Sequence, residues 1–162
     1  MLPDTKDILR RMGQQEKQFN SLYRSLASAF KMPECSMWIL YYLAMEETPL
    51  TQHELIDRMM FSKQTIHSAV SWLVKKGWVH LETIPSARNS KHIQLTDAGR
   101  QAAEASVCRV LVAEANAVNA MSTEKMIEYI ELHEALSDSL VNAFRDEGLF
   151  DDQTFPEDTG NA

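Results

Sequence analysis

Cysteine is almost missing from this chain of 162 residues: Cys35 and Cys108 are the whole supply. That is too few for a disulfide framework. Glycine is as sparse, with five scattered residues and no Gly-rich loop to cradle a phosphate. G-x-S-x-G and H-E-x-x-H are also missing, and the acids of the C-terminal third are spread as a solvated face, so no catalytic residue is nominated and an enzyme is not expected. The five histidines do not gather at metal-ligand spacing. His53 and His67 fall on different helices, His80 and His92 on facing strands, and no Cys or acid completes a site, so neither metal nor cofactor is expected. No apolar run approaches the roughly 20 residues that span a bilayer. The first residues, MLPDTKDILRRMGQQEK, mix acids and bases without a signal-peptide h-region. These absences predict a cytoplasmic protein with no membrane partner.

A basic excess is missing too: the net charge is −7. Its distribution matters more than its sum. Residues 1–50 are neutral, with six bases and six acids. Residues 51–95 carry six bases (Arg58, Lys63, Lys75, Lys76, Arg88, Lys91) against three acids, for +3, and hold four of the five histidines. Residues 96–162 carry four bases against fourteen acids, for −10. A basic centre between a neutral and an acidic segment suits a protein that touches a polyanion with one face only.

Hydrophobic spacing and capping residues divide the chain into elements. Ile8, Leu9, Met12, Phe19, Leu22, Tyr23, Leu26 and Phe30 line one face of a helix from about Thr5 to Phe30. Pro33 opens a second helix, Glu34 to Met45, apolar nearly all round and therefore buried on every side. Thr51 and Glu54 make a capping box, and Leu50 with Leu55 a hydrophobic staple, for a short helix ending near Met60. Ser62 then caps a helix to Lys76, in which Ile66, Ala69, Val70 and Leu73 form an inward stripe, and Gly77 stops it. Two extended segments, Trp78 to Ile84 and His92 to Leu95, flank a polar turn that carries Arg88 and Lys91. Thr96-Asp97 caps a long helix to about Ala120. Ser122 caps a last one to about Arg145, where Met126, Ile130, His133, Leu140 and Phe144 share a broad face. Gly148 stops it, and the tail DDQTFPEDTGNA reads as acidic and disordered.

Helix, tight turn, helix, hairpin is the order of a winged helix-turn-helix, in which a supporting helix presents a second one to a DNA major groove. The outward face of the Ser62–Lys76 helix offers Ser62, Lys63, Gln64, Thr65, His67, Ser68 and Ser71, all donors or acceptors without an acid among them. They are the candidate base and phosphate contacts. Arg88 and Lys91 on the hairpin would meet the backbone or a minor groove, whose negative potential attracts arginine. The same architecture also serves as a protein-interaction module, which the charge of −7 favours.

Four stretches in order, Thr51-Gln52-His53-Glu54-Leu55, Ser62-Lys63-Gln64-Thr65-Ile66, Leu73-Val74-Lys75-Lys76-Gly77-Trp78-Val79 and Leu95-Thr96-Asp97-Ala98-Gly99-Arg100, resemble the MarR family of bacterial regulators. The motifs cover residues 50–100, and the flanking helices match in length and order. The resemblance implies a homodimer of intertwined first and last helices, a recognition helix at Ser62–Lys76 and a wing at Pro85–Lys91. It also implies a repressor that releases a palindromic operator when a small effector binds or a thiol is oxidised. Arg88 matches the family's wing arginine, but Ser86 stands where an acid usually orients it. Ser68 replaces a larger basic or polar residue.

The fold class that follows is mainly α with a small β-hairpin wing: a winged helix-turn-helix plus N- and C-terminal dimerisation helices. Its predicted divisions are 1–34 for the N-terminal dimerisation helix, 35–100 for the DNA-binding lobe, 101–147 for the C-terminal dimerisation helices and 148–162 for the tail. The predicted partners are double-stranded DNA, a second copy and an unidentified small-molecule effector. Trp38, Tyr41 and Tyr42 are candidates to line the effector pocket, with plain core as the alternative. Cys35, at the start of a helix whose dipole would lower a thiol pKa, is the candidate redox residue. Cys108 reads as buried.

Overall fold

Capping residues set the element boundaries, because each supplies a hydrogen bond that the first helical turn lacks. The computed structural model describes residues 4–46, 48–84 and 91–149. The elements in order are α1 (Thr5–Ala29), α2 (Glu34–Met45), β1 (Leu50–Thr51), α3 (Gln52–Arg58), α4 (Lys63–Lys75), β2 (Val79–Thr83), β3 (Lys91–Leu95), α5 (Asp97–Ala105), α6 (Val107–Asn119) and α7 (Thr123–Asp146). Thr51, Ser62, Thr96 and Ser122 each accept the backbone N–H three residues on. At Thr51 the box closes, with Glu54 accepting from the Thr51 amide at 2.6 Å. The Thr51 amide and hydroxyl hold the Glu54 carboxyl below its usual range. Gly77 and Gly148, with φ of +70° and +69°, end α4 and α7 in the left-handed conformation that glycine adopts without strain.

The chain divides into two compact units, residues 1–113 and 114–162. In the first, an antiparallel sheet in the order β1-β3-β2 backs the helices. Leu50 pairs with Ile93, and Leu81 faces Ile93 from the other side. The sequence predicts two strands; the third, β1, is only two residues long and overlaps the capping box, so no alternation announces it. One apolar cluster joins α2, α3, α4 and the sheet through Ile39, Leu43, Leu50, Leu55, Ile66, Val70, Leu73, Val79 and Ile93. A second joins α1, α2 and α5 through Ala27, Met37, Leu40 and Ala103, with Val107 of α6. As predicted, α2 sits between them with six buried side chains.

The single helix predicted from Thr96 to Ala120 is two. Ser106 breaks it with φ −131° and ψ −91°. Its Oγ donates to the Ala102 carbonyl at 2.6 Å, the acceptor that a continuous helix would give to its own amide. The amide turns to Ala103 instead, at 3.1 Å. A serine competing for the i−4 carbonyl is a known cause of helix bending.

In the second unit α7 has no buried side chain. Leu132, Leu136, Leu140 and Phe144, four apart, all stay exposed along it. The Tyr129 and His133 rings lie with centroids 6.1 Å apart and planes tilted by 49°. No described helix is long and apolar enough to cross a membrane.

The joint between β2 and α5 yields a sharp test. A Cβ on Gly99 would lie 1.8 Å from the Trp78 carbonyl oxygen. Gly99→Ala is expected to destabilise the fold by at least the roughly 1–3 kcal/mol of an overpacked core, lowering the urea midpoint. An unchanged midpoint would mean that the Trp78 backbone moves aside freely.

Candidate nucleic-acid interface

The outward residues of α4 are held in place by what its inward face buries. Ile66, Ala69, Val70 and Leu73 are all buried, and Ile66 and Leu73 completely so. The stripe leaves Lys63, Gln64, Thr65, His67, Ser68 and Ser71 exposed on the opposite side, with the cap Ser62 beside them. The structure therefore brings all seven α4 candidates to one surface. No acid lies within α4.

Local hydrogen bonds restrict three of the seven. Ser62 Oγ accepts the Thr65 amide at 3.2 Å and shares a proton with Thr65 Oγ1 at 2.8 Å. Ser71 Oγ donates to the His67 carbonyl at 2.9 Å, so its lone pairs are what it turns outward. Arg58, at the end of α3, pairs with Glu46 and is spoken for. His53 reaches Asp57 at 3.9 Å.

On the hairpin, Lys91 is exposed at the start of β3, opposite Thr83. Arg88, with the rest of the turn from 85 to 90, lies outside the described residues, as does the tail from 150 on. His80 pairs with Gln94 and His92 with Glu82, so the two strand histidines are diagonal rather than directly opposed.

Sequence reasoning passed over Met60. It is fully exposed, at 105%, in the turn before Phe61 and Ser62, where an apolar residue reads as core and nothing in the spacing marks it otherwise. It also passed over the support beneath α4. Lys76 Nζ lies 5.2 Å from the Trp72 ring centroid, so one of the two terminal lysines rests on an indole face.

Trp38, Tyr41 and Tyr42 are half-buried and pack on one another, and Trp38 also meets Tyr23. Trp38 lies 4.6 Å from Tyr23, 5.4 Å from Tyr41 and 6.4 Å from Tyr42, centroid to centroid.

Residues 35–88 match the MarR family model. The match takes in about one third of the chain, including α3, α4 and β2. The likeness of fold extends well beyond it, to solved structures. Sco3205 from Streptomyces coelicolor, a MarR family regulator solved in complex with DNA, is 23% identical, with 86% of this chain and 90% of that one covered at a TM-score of 0.65. MepR from S. aureus, in its DNA-binding conformation, is 20% identical over 85% of this chain and 99% of its own, also at 0.65. PcaV from Streptomyces coelicolor, solved with its natural ligand, is 17% identical over 79% and 92%, at 0.58. No curated protein matches by sequence. These neighbours share the fold of a mostly helical chain with a small antiparallel sheet.

The expectation of a lowered Cys35 thiol pKa is reversed. Cys35 does stand in the first turn of α2, yet it is 5% exposed. Burial pushes its thiol up to about 11, and the Glu34 carboxylate adds to the effect. Desolvation penalises the thiolate more than the helix dipole favours it. Cys108, read as buried, is half-exposed in the first turn of α6. In the native protein, iodoacetamide at pH 8 is expected to label Cys108 well before Cys35, by peptide mass mapping. Reactivity at Cys35 should climb only as pH rises through about 9 toward 11. Faster labelling of Cys35 would show an activated thiol and restore it as a redox candidate.

Proposed function

We propose that the chain is a transcriptional regulator that binds double-stranded DNA sequence-specifically, as a homodimer on a palindromic operator, without catalysis. The observation that carries this reading is the acid-free polar face of α4, seven side chains wide, backed by a fully buried stripe. The match of residues 35–88 to the MarR family model supports it, as does the likeness of fold to Sco3205, solved with DNA. Lys63, Gln64, Thr65, His67 and Ser68 read base edges near the N-terminus of α4, where free backbone amides favour phosphate. Ser62 and Ser71 flank them, and Lys91 with Arg88 contacts the backbone beside the groove.

The dimer rests on α1 and α7. Ile8, Leu9, Phe19 and Leu22 on α1, and Leu132, Leu136, Leu140 and Phe144 on α7, are large apolar side chains left in solvent. A symmetric partner covers such faces. Repression, and release when a small effector binds near Trp38, Tyr41 and Tyr42, completes the reading. PcaV, similar in fold, was solved with its natural ligand. The protein works in the cytoplasm.

Selection from random duplexes with purified protein is expected to return a palindrome with half-sites about one helical turn apart. Affinity for it should fall steeply as salt rises, with each phosphate contact adding about 0.9 to the log–log slope. Enrichment of nothing, by a folded dimer, would leave the interaction module in its place. Leu136→Lys combined with Leu140→Lys should shift the sedimenting species to monomer and cost operator affinity at least tenfold. A double variant that stays dimeric would remove α7 from the interface.

A further inference from the structure

All three tryptophans of the chain, Trp38, Trp72 and Trp78, pack against both apolar clusters of the first unit. The two cores meet along a seam of indoles. Among the described residues of α4, Trp72 alone reaches the second cluster, the one built by α1, α2, α5 and Val107. The inward stripe of α4 belongs to the first cluster. Trp72 is thus where α4 meets the second cluster.

The partner of Trp72 is fixed unusually firmly. Its ring meets that of Trp78 edge to face, with centroids 5.5 Å apart and planes at 86°. The Trp78 amide donates to the Leu73 carbonyl in the last turn of α4 at 3.0 Å, and the Trp78 carbonyl accepts the Thr96 amide at 3.0 Å. Thr96 Oγ1 donates to the Gly77 carbonyl at 2.6 Å. Gly99 then seats α5 so closely on the Trp78 carbonyl that no Cβ fits. Trp78 is tied to the end of α4 on one side and to the start of α5 on the other. Lys76, over the outer face of Trp72, closes the stack.

We infer that the Trp72–Trp78 pair positions α4 for sequence reading, acting as the joint between α4 and the α1–α2–α5 cluster. The inference rests on the proposed DNA-binding function and deepens it. Neither indole is among the DNA-facing candidates; both act through the helix they hold. Base-edge hydrogen bonds need their donors placed within about 0.5 Å, whereas attraction to phosphate survives looser placement. Loosening the joint therefore removes discrimination and leaves general affinity for DNA. A residue that merely stabilised the fold would not split the two.

The test compares Trp72→Phe with the wild-type dimer on the selected operator and on a random duplex, across a salt titration. It is run well below each protein's melting midpoint. Phenylalanine keeps the site apolar but does not span the seam. The expected result is about a tenfold fall in the operator-to-random affinity ratio, with random-duplex affinity, salt slope, far-UV circular dichroism and dimer mass unchanged. An unchanged ratio, or equal loss on both duplexes, overturns the inference. Should Trp72→Phe not fold, Trp78→Phe carries the same comparison with the same outcomes. A wild type that prefers no sequence at all would sink the DNA-binding reading, and the inference with it. A wild type that discriminates beside a variant that discriminates equally sinks the inference alone.

Discussion

The burial of Ile66, Ala69, Val70 and Leu73 against α2, α3 and the sheet is the constraint on which the rest depends. A helix of 13 residues is marginal in water by itself, and the polar residues on its outer face contribute little to holding it. The close approach of α2 and α4 is possible because small residues meet there. Ser36 is completely buried, and its hydroxyl donates to the Ala69 carbonyl at 3.5 Å. Truncating one of the large members of such a core to alanine typically costs about 2–5 kcal/mol, a large fraction of the total stability of a small domain. The presenting surface is therefore only as rigid as the stripe behind it.

Electrostatics works on the same face by segregation rather than by net charge. The acids are concentrated beyond residue 96, and α4 holds none. Two of the three acids in the basic middle are engaged locally: Glu54 in the capping box at Thr51, and Glu82 accepting from Gln94 at 2.6 Å. Asp57 stands near His53. At physiological salt the Debye length is about 8 Å, so any charge farther than that from α4 is largely screened from it. A charge of −7 is thus compatible with a locally attractive surface, and it opposes indiscriminate contact with DNA elsewhere.

Much of this was legible because capping chemistry is local. Thr51, Ser62, Thr96 and Ser122 are caps in the structure where side-chain type and spacing place them, and Gly77 and Gly148 are the stops. The outward residues of α4 followed from the inward ones by the 3.6-residue period. What stayed hidden depended on tertiary partners. Ser106 sits in an unbroken Ala/Val-rich pattern, and its hydroxyl bond to the Ala102 carbonyl has a counterpart at Ser71 that leaves α4 continuous, so nothing local marks the break. Strand β1 exists because Ile93 and His92 are there to pair with it. Cys35 was misjudged because the dipole of its helix is visible in the sequence while its desolvation is not. Trp72 carries no spacing signal of its role, since the second cluster it reaches is assembled from distant segments.

The unburied helices give the proposed association a thermodynamic meaning beyond symmetry. A 24-residue helix that buries none of its own side chains gains little from packing within its chain, and packing is what stabilises most helices in proteins. Covering Leu132, Leu136, Leu140 and Phe144 with a second copy would remove that apolar surface from water, at roughly 25 cal/mol for each Å². Folding of the terminal helices and dimerisation would then be one equilibrium, so apparent stability would rise with protein concentration. The same equilibrium would govern DNA reading, because two α4 faces at a fixed spacing gain from effective concentration what one face lacks. The proposed dimer would give a use to the seam between the two cores, where Trp38, Trp72 and Trp78 meet both. Whatever orders α1 would reach α4 through the cluster that α1 shares with Trp72, and rigid aromatic rings transmit a displacement that flexible side chains would absorb.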